Sequence, residues 1–236
     1  MVSLYSPPDN PCSDNRYIAI GIREYPDSCH IGILYRIGSS SDVIFLHLPW
    51  HNALQRDTSL DPSYSWTRCD GLSEAKQRML GIWLERVWAI NGEKITYGLY
   101  LAPTGYFDDS AKFIPSGAGV GLTCATFVMS MFSCLAISIV DIESWKKRQA
   151  DRDFHTFILK RMLEDKRIHP DHFAAQVKHF GTALRFRAEE VAAAASLYKG
   201  NPVHFDLAVP AGADLVAQLR SRVSMDKTPA APKTQK

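Results

Sequence analysis

The sequence has no CxxC pair and no even set of cysteines: the five stand irregularly at positions 12, 29, 69, 124 and 134. That argues against a zinc ribbon or a disulfide framework and for a reducing compartment, in expectation the cytoplasm. Neither sign of charge dominates. Lys and Arg number 27 against 25 Asp and Glu, a formal net charge of +2. Nothing in that balance favours nucleic acid or an anionic membrane as a partner. Met1 to Asn15 is polar and proline-bearing with no apolar h-region, so no Sec signal is expected and these residues read as a flexible N-terminus. A membrane-length apolar run is missing too. The longest stretch, Ala125 to Val140, is interrupted by Thr126, Ser130, Ser133 and Ser138. It falls short of the roughly 20 residues a bilayer span requires and reads as a central buried helix. No internal repeat is visible. Ser224 to Lys236 lacks apolar side chains to offset the entropy of ordering its backbone, and is expected to be a disordered tail.

What is present suits a soluble α+β protein. Of 236 residues 46% are hydrophobic, enough to fill a sizeable core in one domain, with or without an appendage. Strand patterns come first: Arg16 to Ile22, His30 to Ile37 and Val43 to Leu48, with a hairpin turn at Gly38 to Asp42 between the second and third and Pro49 ending the third. His51 to Ser65 reads as a polar loop. Leu72 to Trp88 has near-helical apolar spacing at Leu72, Ala75, Met79, Ile82, Trp83 and Val87, with Ser73 as a cap and Gly92 as a stop. Thr96 to Leu101 reads as a short strand and Tyr106 to Gly121 as a loop. The second half is helix-prone: Asp141 to Lys166, an alanine-rich stretch within Phe173 to Tyr198, and Leu207 to Arg222. The organisation expected is a catalytic domain over 16–142 and a helical C-terminal region over 143–223.

The chemistry concentrates at Gly121-Leu122-Thr123-Cys124-Ala125-Thr126-Phe127-Val128, where a run of glycines (117, 119, 121) meets one cysteine and an apolar helix follows. A helix N-terminus presents unpaired N–H groups and the positive end of the dipole, which favour a thiolate and, later, an oxyanion. The plain alternative is a small buried filler, since free cysteine is among the most buried residue types. A nucleophilic thiol needs a base, and His30 opens the second strand pattern. His47 lies 17 residues on, and with a turn centred at 39 or 40 it falls opposite about Gly32, where it could orient the His30 ring. Cys29 alternates with His30 and is expected to face away from the active face. A zinc reading of His30, His47 and His51 lacks an acidic fourth ligand and an H-x-H spacing. No metal or organic cofactor is called for. His169, His172 and His179 show no ligand-like periodicity. Asp108 and Asp109 read as solvated turn residues, and Trp145 to Arg152, Lys160 to Arg167 and Arg185-Phe186-Arg187 as exposed charged faces.

A histidine opening a strand as H-x-G-I-x-Y, a second as V-x-x-x-H-L, and a later cysteine opening a helix as C-x-x-F-V together resemble the circularly permuted NlpC/P60 papain-like group, which includes the lecithin:retinol acyltransferase-like proteins. The likeness spans roughly Tyr17 to Val140. It implies a papain-like antiparallel sheet packed on a nucleophile-bearing helix, with His30 as base, His47 as the second histidine and Cys124 as nucleophile. The acyltransferase branch's Asn-Cys-Glu-His-Phe reads Thr-Cys-Ala-Thr-Phe here, and the insert between His47 and Cys124 is long. The leading expectation is therefore a cysteine hydrolase, peptidase or amidase in type, acting on a peptide, isopeptide or other acyl substrate through a thioester. Thioester-mediated acyl transfer, or a non-catalytic interaction protein on the same scaffold, are the alternatives.

Overall fold

Alternating β-branched and aromatic residues in the first third build one antiparallel sheet. The computed structural model describes residues 2–38, 40, 42–99, 105–114 and 117–226. Its strands are β1 (Ile18–Tyr25), β2 (Ser28–Tyr35), β3 (Ile44–His47), β4 (Gln55–Asp57) and β5 (Ser65–Arg68), in the spatial order β4-β3-β2-β1-β5. β2 pairs with β3 through Ile33↔Leu46 and Tyr35↔Ile44. That register carries on to set Gly32 against His47, as the turn arithmetic expects; a Cβ on Gly32 would stand 2.5 Å from the His47 Cβ. The expected polar loop over 51–65 instead contains β4 and the first residue of β5. Ser39 and Ser41 of the expected turn lie outside the described residues.

The two faces of the sheet differ. Ile18, Ile20, Ile22, Ile31, Ile33, Tyr35 and Leu46 belong to the main core, which the helices complete. Ala19, Leu34, Phe45, Tyr64 and Trp66 form a smaller cluster on the other face. The helices are α1 (Glu74–Asn91), α2 (Cys124–Ser133), α3 (Asp151–Glu164), α4 (Pro170–Lys178), α5 (Ala188–Leu197) and α6 (Phe205–Asp226).

Ser73 caps α1 as expected, but the helix is turned from its expected phase. Leu80, Leu84 and Val87 are buried, while Met79 is 56% and Ile82 64% exposed. Helix α2 is shorter than the apolar run, because the chain turns at Ala136 (φ 55°) and Ile137, Ile139 and Val140 enter the core as non-helical chain. The expected strand from Thr96 is not formed over 96–99; Tyr100 and Leu101, like Pro115 and Ser116 of the following loop, lie outside the described residues.

Packing settles how the two ends of the chain sit on the sheet. The N-terminal segment is not loose: Val2, Leu4 and Cys12 are buried, Tyr5 bridges Trp66, and Gln218 and Arg222 of α6 hydrogen-bond to Val2 and Leu4. Of the two arrangements open for the C-terminal helices, covering the sheet or forming an appendage, α5 and α6 take the first. Val191 to Ala195 of α5 and Ala208, Leu215 and Leu219 of α6 lie in the same core as the sheet. Small alanines let α5 approach closely, and the Thr67 hydroxyl on β5 donates to the Ala192 carbonyl. Helix α6 also takes in Ser224 to Asp226, which were expected in the tail; 227–236 lie outside the described residues. Among the described residues no helix is long and apolar enough to cross a membrane.

Candidate functional site

Cys124 is the first residue of α2. Thr123 is its N-cap, in a reciprocal capping box: the Thr126 N–H donates to Thr123 Oγ1 (3.2 Å) and the Thr123 N–H to Thr126 Oγ1 (2.8 Å). The approach is set by a close backbone crossing. Leu122 N–H donates to the Thr96 carbonyl, and a Cβ on Gly121 would stand 2.6 Å from Gly98 N. Only glycine permits that approach, which anchors the start of α2 against residues 96–98.

The thiol is half-buried, beside the backbone N–H groups of Ile31 and Ala125. These favour the thiolate, but burial outweighs them and pushes the Cys124 pKa up to about 11. The expectation of a resting thiolate at a helix N-terminus is thereby corrected: the dipole and two N–H groups do not offset desolvation here.

The two expected histidines do meet. His30 Nε2 lies 2.8 Å from His47 Nδ1, and His47 Nε2 lies 3.0 Å from Asp57 Oδ2. Burial lowers the pKa of both rings, that of His30 to about 3, so both are neutral near pH 7. Proton placement then follows from the acceptor-only carboxylate. His47 donates from Nε2 to Asp57 and accepts at Nδ1, so His30 donates from Nε2 and its Nδ1 holds the free lone pair. Asp57 was not singled out in the sequence. Its signal was available only through β4, a three-residue strand that aligns it against Phe45, diagonal to His47.

Cys124, His30 and His47 line one cavity of about 410 Å³, together with Cys29, Trp50, Tyr64, Tyr97, Phe154 and Arg185. Within it, no hydrogen bond joins Cys124 Sγ to the His30 ring. The rings lean on the smaller cluster: His30 lies edge-on to Tyr64 (centroids 6.4 Å) and His47 stacks on Phe45 (4.5 Å). Cys29 does alternate away from His30, but that puts it with Ile31 on the face α2 covers. The expectation that it would avoid the active face fails; it lines the cavity with Cys124.

His51 is not part of this group. It is buried, accepts the Tyr97 N–H at Nδ1 (3.2 Å) and packs against His172, whose Nε2 lies 2.7 Å from the Tyr97 carbonyl. Among the described residues no three His, Cys, Asp or Glu side chains are grouped to hold a metal.

Two charged stretches expected as solvated faces are so only in part: Lys146, Lys147 and Arg152 are exposed, but Asp151 is buried and Arg148, Arg185 and Arg187 are half-buried. Asp151 is 5% exposed and is held by Arg148 (3.0 Å), Arg187 (2.8 Å) and, at 3.5 Å, Arg185; Arg148 also grips Glu190. Burying so many charges together is tolerated because they pair, a partnership between α3 and the start of α5 that no local pattern reveals. No family model, no curated protein and no solved structure matches the chain.

Proposed function

We propose that the protein is a cysteine hydrolase on a permuted papain-like scaffold, cleaving an amide or related acyl bond. Cys124 is the nucleophile, His30 the base, and His47 with Asp57 the groups that hold the His30 tautomer. One observation supports this most: a thiol at the first position of a capped helix, flanked by two backbone N–H groups, opens into the same cavity as a carboxylate–imidazole–imidazole chain.

The resting pair is neutral, a thiol and an imidazole that line the same cavity with no hydrogen bond between them. Attack therefore couples S–C bond formation to transfer of the thiol proton to His30 Nδ1. The positive charge that develops on His30 is stabilised through His47 by Asp57. The carbonyl oxygen gathers negative charge at the N-terminus of α2, where the Cys124 N–H points out of the first turn. His30 returns the proton to the leaving amine, giving a thioester. Water, deprotonated by His30, then releases the acid and restores the thiol. An amine or alcohol in place of water would make the same intermediate a transferase.

The test is labelling of the full chain with a thiol-directed acyl probe and mapping of the adduct by mass spectrometry. The adduct is expected on Cys124, absent from Cys124→Ser, and formed on the order of 100-fold more slowly in His30→Ala, the scale of general-base assistance. Labelling of Cys134 in preference, or an unchanged rate in His30→Ala, would sink the assignment.

A further inference from the structure

One wall of the Cys124 cavity carries a cation that shares its only ion-pair partner among the described residues with two other arginines. Arg185 lines the cavity with its side chain 13% exposed, and its nearest acid is Asp151 Oδ1 at 3.5 Å. That oxygen is already taken by Arg187 Nε at 3.0 Å and Nη2 at 2.8 Å, and Asp151 Oδ2 by Arg148 at 3.0 Å. Both oxygens of Glu190 are held by Arg148, at 2.5 and 3.1 Å. Glu189, half-buried nearby, forms no ion pair among the described residues. Three guanidiniums thus share the two paired carboxylates, and Arg185 makes the longest of these contacts, with the Glu189 carboxyl a further acid acting on it through space. Phe154 covers one face of its guanidinium, 3.6 Å from the ring centroid. Arg185 Nη1 donates to Asp151 Oδ1 at 3.5 Å, and among the described residues its Nε and Nη2 have no hydrogen-bond acceptor. A second cation borders the same cavity: Arg161 is exposed, lies 4.6 Å over the Trp50 ring, and enters no ion pair among the described residues.

We infer that Arg185 and Arg161 form an anion subsite of this cavity, and that the substrate carries a carboxylate near the carbonyl that Cys124 attacks. The second half rests on the reading of Cys124 as the nucleophile; the first does not. A desolvated cation whose one ion-pair partner is shared with two other arginines is costly, and a ligand anion would reduce that cost. The planar donor edge fits a planar carboxylate. Tyr97, Phe157 and Phe186 supply apolar walls for the body of such a ligand, and about 410 Å³ accommodates a small acylated amino acid.

Binding is measured first, by calorimetry on full-length Cys124→Ser, with N-acetylphenylalanine and its primary amide as probes. The acid is expected to bind about tenfold more tightly than the amide, the scale of a charge-assisted pair. Arg185→Gln should bring the ratio close to one, and Arg161→Gln should lower it in part. Equal binding of acid and amide, binding of neither, or a ratio unmoved by Arg185→Gln overturns the subsite. If Arg185→Gln does not fold by circular dichroism, Arg161→Gln at its exposed position decides, and an unmoved ratio there overturns it. Displacement of the acid by equimolar inorganic phosphate overturns the carboxylate assignment.

The wild-type chain is then given the p-nitrophenyl monoester of glutaric acid and p-nitrophenyl pentanoate. Faster acylation of Cys124 by the glutaryl ester supports the second half, and equal rates overturn it. Acid binding without any Cys124 adduct would leave the subsite standing and remove the nucleophile.

Discussion

At the residue scale the Cys124 thiol sets two effects against each other. A helix N-terminus lowers a thiol pKa and burial raises it, and here burial wins. In the free protein, alkylation of Cys124 by iodoacetamide should therefore be slow at pH 7 and rise about tenfold per pH unit towards its pKa of about 11, because only the thiolate reacts. Mapped adducts across pH 7–10 check this, and a plateau by pH 8 would show a resting thiolate after all. Cys134, also half-buried and pushed up to about 11, is the competing site, while burial drives Cys12 to about 12. Asp57 makes the second prediction. Its side chain is 49% exposed, so its link to His47 adds at most about 1 kcal/mol to stability. Asp57→Asn should leave the melting temperature nearly unchanged yet cut acylation of Cys124 at least roughly tenfold, because an amide can stabilise the wrong His47 tautomer. Equal loss of folding and activity would make Asp57 merely structural.

At the scale of elements, the start of α2 depends on one crossing of backbones. Gly121→Ala should destabilise by about 1–3 kcal/mol, the cost of overpacking, since the new Cβ meets Gly98 N, Tyr97 C and the Thr96 carbonyl together. Urea unfolding of the variant measures it, and a cost within experimental error would mean that the crossing relaxes freely. Much of the element plan was legible beforehand. β-Branched alternation located β1, β2 and β3, and turn arithmetic placed His47 against Gly32. Cys124 was legible as a helix start because a glycine run precedes it and an apolar run follows, while the Thr123 cap emerged only in the structure. β4 was not, because three polar residues carry no period. The phase of α1 was misread because Met79 and Ile82 are as apolar as the residues that are buried. Composition does not say which stripe the sheet will cover.

At the scale of the molecule, folding keeps several imidazoles neutral in the interior. Burial lowers His30 to about 3 and His51 to about 4 from 6.5, and lowers His47, His155 and His172 as well. Each such group binds its proton more readily unfolded than folded. The stability they confer is whole above pH 6.5 and is lost as pH falls through the window down to about 4 and then 3. The urea midpoint should hold steady from pH 8 to 7 and drop steeply between pH 6.5 and 4. A flat midpoint over that window would show that these rings are hydrated or charged in the native state.

By itself the sequence determined the class of the fold, the antiparallel order of its first three strands, the helix start at Cys124 and the pairing of His30 with His47. All of these follow from local periodicity, capping and turn length, which act over a few residues. Tertiary structure alone decided that Asp57 completes the histidine chain, that Cys29 faces the Cys124 side, and that the N-terminal residues and α5 and α6 share the sheet's core. It also decided that Arg185 lines the Cys124 cavity while sharing Asp151 with Arg148 and Arg187. Charge pairing and burial depend on which segments meet across long stretches of chain, and a residue's own neighbours in sequence hold no record of them.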